Sequence, residues 1–240
     1  MSHSDIFCAI EARLRSGELL PGAQIFESQL MQEFAVSRTP VRDALLRLHA
    51  LDYLTIYPRK GIFVTRLTVR QVLEQLEVLA HMEGLCAQLA AQRMSAQQRS
   101  QLQALLEVAA QAAQAEDAPA YVHANQDFHA LLYAGCCSEY LVRQILQLRT
   151  RTAAYRLRRF ESGAGLRRSL AEHQRLADAV TRNEEAQAYQ AALAHITMGG
   201  IEFAELVRQV PETLFAPSPP LPRDARHALT QWSFDRNATS

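Results

Sequence analysis

Apolar positions in the first quarter of the chain change period as the chain proceeds. Ile6, Ile10 and Leu14 recur at i, i+4 and i+8, which predicts a first helix that Pro21-Gly22 breaks. A second short helix is predicted from about Glu27 to Phe34, and Ala35-Val36 make a turn. A third helix runs from Ser37 to about Leu51, with Val41, Leu45 and Leu48 on its inner face. The period then drops to two. Tyr53-Leu54-Thr55-Ile56-Tyr57 and Ile62-Phe63-Val64-Thr65 predict two strands, joined by Pro58-Arg59-Lys60-Gly61 as a hairpin tip.

Three helices and a hairpin in this order predict a winged helix-turn-helix, whose second paired helix enters the DNA major groove. From Thr68 to about Val210 the pattern is helical throughout. Val72, Leu73, Leu76, Leu79, Met82, Leu85, Cys86 and Leu89 keep helical period, and Ser95-Ala96-Gln97-Gln98 is a capping box that opens the next helix. Asp117 or Pro119 opens another, which carries Phe128, Leu131 and Leu132. Further helices are expected from Tyr140 to about Arg159, from Leu170 to Val180, and from a cap at Asn183 to about Val210. The last stretch differs: Pro211, Pro217, Pro219, Pro220 and Pro222 cluster in it. It reads as a loosely ordered tail, with a short helix possible around Ala225–Trp232 and with Trp232 and Phe234 able to dock. The expected fold is therefore mainly α: a winged helix-turn-helix over 1–67, an all-α bundle over 68–210, and a Pro-rich tail over 211–240.

The third helix carries the most telling chemistry. Ser37 suits an N-cap, and Pro40 fits a first turn, where its missing N–H has no helical partner. Arg38 and Arg42 are four apart and share one face. Free N–H groups, hydroxyls and forked guanidinium donors at a helix N-terminus suit a phosphate backbone and a guanine edge. Formal net charge is zero, with 25 basic and 25 acidic residues, which argues against a nonspecific nucleic-acid coat and leaves a site-specific reader open. Nearly all the basic residues are Arg; Lys60 is the single lysine. The cysteines Cys8, Cys86, Cys136 and Cys137 have neither zinc-knuckle nor disulfide-framework spacing and read as reduced thiols. No apolar run is long enough to span a bilayer, and Met1 to Glu11 has no signal pattern, so a cytoplasmic protein is expected.

The quoted residues carry a family resemblance. Leu20-Pro21-Gly22, Glu27…Leu30, Val36-Ser37-Arg38-Thr39-Pro40-Val41-Arg42-Asp43-Ala44-Leu45…Leu48 and Gly61…Val64 resemble the DNA-binding domain of the GntR family of bacterial transcription regulators. The helical remainder resembles the ligand-sensing FCD domain of the FadR-type branch, with Asn125-Gln126-Asp127-Phe128-His129, Glu172-His173 and His195 as landmarks. The resemblance implies a homodimer on a palindromic double-stranded DNA operator, with DNA affinity set by a small metabolite. It puts Ser37, Arg38, Thr39, Pro40 and Arg42 at the DNA, Ser28 at the backbone, and Lys60 and Gly61 at the minor groove or a phosphate.

The same resemblance places Asn125, His129, His173 and His195 at metal-ligand positions. Three imidazoles and an amide oxygen suit a divalent ion such as Zn²⁺ or Ni²⁺. Two departures stand out. Many family members have Asp where this chain has Asn125, a weaker neutral ligand, and Asp127 lies on a different helix face. Family members often have Arg where Leu79 stands. Neutral ligands leave a divalent ion uncompensated, so the expected effector is an organic acid, met by Arg149, Arg151 or Arg156 if these leave the solvated face that an Arg-rich helix implies. His81 and His123 have no spacing argument for ligation. The competing readings are a metal-dependent hydrolase or lyase using the histidines, and an adaptor whose winged helix binds protein. No HExxH, second carboxylate at ligand spacing, or nucleophile elbow is present for the first, and the second has no need of the Arg38/Arg42 charge.

Overall fold

The computed structural model describes residues 3–160, 162–197 and 210–217. The N-terminal module contains α1 (His3–Ser16), β1 (Gln24–Ile25), α2 (Glu27–Glu33), α3 (Arg38–Ala50), β2 (Leu54–Tyr57) and β3 (Gly61–Val64). Its core is built from the predicted stripes. Ile6, Ile10 and Leu14 of α1 meet Leu30 of α2 and Val41, Ala44, Leu45 and Leu48 of α3, with Leu54 and Val64 closing the sheet side. Burying each of the larger aliphatics is worth about 1.5–3 kcal/mol, enough to hold a short helix such as α2 that could not persist alone.

The sheet has three strands rather than the predicted two, in antiparallel order β1-β3-β2. β1 is only two residues long, too short for an alternation to reveal, and it pairs Gln24 with Phe63 and Ile25 with Ile62. In the wing, β2 and β3 run from Leu54↔Val64 to Tyr57↔Gly61. Gly61 sits at φ +118°, where a Cβ would also come within 2.8 Å of Gln24 Nε2, so the tip requires glycine there.

The bundle contains α4 (Val69–Arg93), α5 (Ala96–Gln114), α6 (Ala118–Cys136), α7 (Glu139–Thr152), a 3₁₀ segment (Ala153–Phe160), α8 (Gly163–Thr181) and α9 (Glu185–Thr197). Helix α4 is the central element and packs on α6, α7, α8 and α9. Gly84 lets it approach α9, because a Cβ there would lie 2.9 Å from the Tyr189 ring. The predicted capping box at Ser95 forms, with Ser95 Oγ accepting from Gln98 N–H and Gln98 Oε1 accepting from Ser95 N–H. Thr68 and Gln71 build a second box at the start of α4. Asp117, not Pro119, is the cap of α6.

Three predicted boundaries shift. Helix α7 ends at Thr152 instead of near Arg159, and the chain tightens into the 3₁₀ segment that aims Tyr155 inward. Helix α8 begins at Gly163, not Leu170, because the Ser162 hydroxyl caps a first turn whose glycines hide it from propensity. Asn183 does not cap α9. It stands at φ +58° as the left-handed residue of a Schellman ending on α8, with Glu184 N–H donating to Ala179 O and Asn183 N–H to Val180 O. Residues 211–217 are docked on the body, with a 3₁₀ turn at Glu212–Leu214 and Leu214 and Phe215 against the bundle core. The predicted extension of the last helix over 198–209, and Ala225–Trp232 with Phe234, lie outside the described residues.

Among the described residues no helix is long and apolar enough to cross a membrane. The two modules touch along the end of α7. Arg151 Nη1 donates to Asp52 Oδ2 at 3.3 Å, and a cleft there is lined by Leu14, Leu19, Tyr53, Thr150 and Arg151. Burial, followed by the nearby Glu11 carboxylate, pushes the Tyr53 hydroxyl up to about 12.

Candidate DNA-reading face and metal centre

Helix α3 has one face buried by Val41, Ala44, Leu45 and Leu48, and it leaves Ser37, Arg38, Thr39 and Arg42 exposed on its opening turns. Ser37 holds the N-cap position with extended backbone, yet its hydroxyl makes no capping bond. It is therefore available to an external acceptor or donor, as are the unsatisfied N–H groups beside it. Pro40 is half-buried in the first turn. Arg38 is 71% exposed, and its Nε donates to Glu27 Oε2 of α2 at 2.8 Å. That bond leaves the two terminal guanidinium nitrogens outward, so Glu27 positions a donor fork. Glu27 opens α2, and a pair eleven residues apart has no helical spacing to announce it. Arg42 is exposed with no ion pair among the described residues. Ser28 is exposed on α2, and Lys60 is exposed at the wing tip beside Gly61.

The second cluster lies inside the bundle. His129 of α6, His173 of α8 and His195 of α9 are buried, and one ligand atom from each lies within 4.8 Å of the others. His173 Nε2 and His129 Nε2 are 3.3 Å apart. Two donors at about 2.05 Å on a tetrahedral Zn²⁺ would stand about 3.3 Å apart, so the separation of this pair is that of two ligands of one ion. His195 Nδ1 meets Glu172 Oε2 at 2.8 Å, and His173 Nδ1 lies 3.4 Å from the Tyr121 hydroxyl. With Nδ1 of His195 donating to the carboxylate, its Nε2 keeps the lone pair a metal requires. The donor set fits a borderline divalent ion. Asn125 stands one turn before His129 on α6, half-buried, with no side-chain hydrogen bond among the described residues. Asp127 instead faces His123 at 3.7 Å on the exposed side.

The buried Glu172 carboxylate, bonded to His195, would offset one of the two charges of a divalent ion held by these neutral ligands. Arg149, Arg151 and Arg156 do not lie on a solvated face. Arg149 is 18% exposed, donates to the Tyr133 hydroxyl at 2.5 Å, and lies 3.4 Å from Glu83, itself 2% exposed. The Tyr133 hydroxyl donates to Glu83 Oε1 at 2.6 Å. Burial drives the Tyr133 hydroxyl well above its ordinary range, with Arg149 opposing and Glu83 adding. Burial alone would lower the Arg149 guanidinium, but Tyr133 and Glu83 outweigh it and raise it. Arg151 is turned toward Asp52 of the N-terminal module, and Arg156 Nη2 donates to Arg149 O. Leu79 is fully buried in the core. Tyr133 is one turn from His129, so the Glu83–Tyr133–Arg149 network abuts the triad. Cys86 and Cys136 are buried beside it, and burial followed by Cys136 pushes the Cys86 thiol far up, making it a poor nucleophile.

Fold and clusters together define a two-module regulator in which one module reads DNA. The family profile of bacterial regulatory proteins of the gntR family matches residues 3–64, and the FCD domain profile matches residues 74–198. The chain therefore belongs to the GntR family, in its FCD-bearing, FadR-type branch, and is a transcription regulator.

Among curated relatives it is similar to the HTH-type transcriptional regulator McbR of Escherichia coli (strain K12), 30% identical over 152 residues, 62% of this chain and 69% of that protein. It is also similar to the Nta operon transcriptional regulator of Aminobacter aminovorans, 26% identical over 206 residues, 86% of this chain and 96% of that protein. The solved structure of E. coli McbR/YncC superposes with a TM-score of 0.74 at 26% identity, covering 87% of this chain and 98% of that one.

Proposed function

We propose that the protein is a metabolite-responsive repressor that binds a palindromic operator as a homodimer in the cytoplasm. In this reading Ser37, Arg38, Thr39, Pro40 and Arg42 of α3 enter the major groove. Ser28 meets the backbone, and Lys60 and Gly61 of the wing meet the minor groove or a phosphate. The observation that carries it is the opening of α3, where an uncommitted cap hydroxyl, an exposed Arg42 and a Glu27-held Arg38 share one end of a helix whose other face is core. One module contacts too few base pairs for useful specificity, and a two-fold dimer doubles the site.

His129, His173 and His195, with Asn125 as the weak fourth donor, would hold a divalent ion, Zn²⁺ or Ni²⁺. When bound, the ion supplies Lewis-acidic positions for a small organic acid. Glu172 orients His195 and Tyr121 supports His173. All three arginines are engaged: Arg149 with Tyr133, whose ring neighbours His129, and with Glu83; Arg151 with Asp52; and Arg156 with the Arg149 carbonyl, so Arg149 is the one linked to the triad, through Tyr133. An effector that changes DNA affinity tenfold must bind the two states with a difference of ~1.4 kcal/mol. A metal-dependent hydrolase or lyase is disfavoured because the carboxylate nearest the triad, Glu172, is already bonded to His195 Nδ1 and is not placed to act as a general base.

The test is a DNA-binding titration with a selected operator fragment, run with Zn²⁺, with chelator, and with a panel of carboxylic acids. The reading expects metal-dependent release or tightening by at least one acid. Affinity indifferent to metal and to every acid would refute the effector half and leave the DNA-reading half standing.

A further inference from the structure

The two family profiles leave residues 65–73 between them, where the chain crosses from the DNA-reading module to the bundle. Leu67, 3% exposed, is buried in that crossing. Both of its backbone groups are bonded to elements remote in sequence. Its N–H donates to the Tyr155 hydroxyl at 2.9 Å, and its carbonyl accepts from Ala216 N–H at 2.9 Å. Tyr155 in turn donates to the Leu214 carbonyl at 3.2 Å, and the Tyr155 and Phe215 rings stack with centroids 5.2 Å apart at 27°. Val210 is buried, and Leu214 and Phe215 pack on the bundle core. The segment that does this lies beyond residue 198, where the FCD match ends.

We propose that residues 210–217 form an intramolecular clasp that pins the interdomain crossing at Leu67 and so fixes the orientation of the DNA-reading module on the bundle. The physical reason is that residues 65–68, between β3 and α4, form neither helix nor strand. Pivoting there would orphan a buried N–H and a buried carbonyl and peel Phe215 from Tyr155, and orphaned buried backbone groups are strongly disfavoured. A two-fold reader needs this rigidity, because half-site spacing is met only if both recognition helices are held at a set angle. The clasp rests on these bonds, its use to a two-fold reader rests on the proposed dimeric reading, and neither depends on the metal or effector.

Three changes test it in the full chain: Tyr155→Phe, which removes the shared hydroxyl; Ala216→Pro, which removes the donor to Leu67; and a chain ended at Gln209. Amide exchange over residues 65–68 is measured beside the distance between nitroxides on Ala50→Cys of α3 and Gln103→Cys of α5. Cys8 and Cys137 are replaced by Ser, and the labelled chain is diluted with unlabelled protein. Exchange at Leu67 is expected to quicken about tenfold for Tyr155→Phe, the effect of one lost buried hydrogen bond on an opening equilibrium, and more for the truncation. The intermodule distance distribution is expected to broaden, with helicity by circular dichroism retained. If Ala216→Pro fails to fold, the other two carry the result. Unchanged exchange and an unchanged distance distribution in folded variants would overturn the clasp.

Discussion

The Glu83–Tyr133–Arg149 network supports a sharp energetic prediction. Glu83 is 2% exposed and Arg149 18%, with the Tyr133 hydroxyl bridging them at 2.6 and 2.5 Å. Glu83→Leu leaves a guanidinium inside the bundle without its carboxylate, and Arg149→Met leaves a carboxylate without its cation. Stranding one member of a buried pair costs about 3–5 kcal/mol. Removing both charges and the hydroxyl together, in Glu83→Leu/Tyr133→Phe/Arg149→Met, leaves no buried polar group to desolvate. The combined variant should therefore lie within about 2 kcal/mol of wild type, since well-packed apolar replacements of buried ion pairs are often neutral. The two charge changes alone would sum to ~6–10 kcal/mol if additive, so a coupling above ~3 kcal/mol is expected. Urea unfolding of wild type, Glu83→Leu, Arg149→Met, Tyr133→Phe and the combined variant, followed by far-ultraviolet circular dichroism, measures it. Single variants that each cost under ~1 kcal/mol, or costs that add within ~0.5 kcal/mol, would refute the reasoning.

Other expectations follow from the same geometry. Arg42→Ala should weaken binding to a selected operator by about 1–3 kcal/mol while leaving nonspecific binding nearly unchanged, as read by competition titration; equal losses on both would make Arg42 a backbone contact only. Glu172→Gln should lower Zn²⁺ affinity about 10–100-fold in a chelator competition, because it loosens His195, and unchanged affinity would remove Glu172 from the site. Tyr53 has its hydroxyl raised from 10.0 to about 12. Between those values the unfolded chain loses this proton first, so stability falls as pH rises through that window. Tyr53→Phe should flatten the fall in chemical denaturation series, and an identical slope in the two proteins would contradict the cause assigned to it.

The DNA-reading module was legible because its core is written in short periods. Ile6, Ile10 and Leu14, then Val41, Leu45 and Leu48, are buried as their spacing requires. Tertiary pairing was not. The two-residue β1 has no alternation to read and exists because Gln24 and Ile25 meet Phe63 and Ile62. Arg149 and Arg151 looked solvated, since a helix rich in arginine is normally exposed, and their partners Glu83 and Asp52 lie far away in sequence. The triad could be suspected only through the resemblance, because His129, His173 and His195 have no mutual spacing pattern. Glu172 was adjacent to a quoted histidine, yet its partner is His195, a helix away. The clasp was hidden by its prolines, which suggested a loose tail while Leu214, Phe215 and Ala216 found partners on Tyr155, the bundle core and Leu67.

The central claim is that the opening of α3 reads a two-fold DNA site. It is tested most directly by selecting genomic fragments with purified protein beside an Arg38→Ala/Arg42→Ala variant of equal thermal stability. The account predicts that wild type enriches a palindrome and the variant does not. Equal enrichment by both proteins, or enrichment of a sequence without two-fold symmetry, would contradict it.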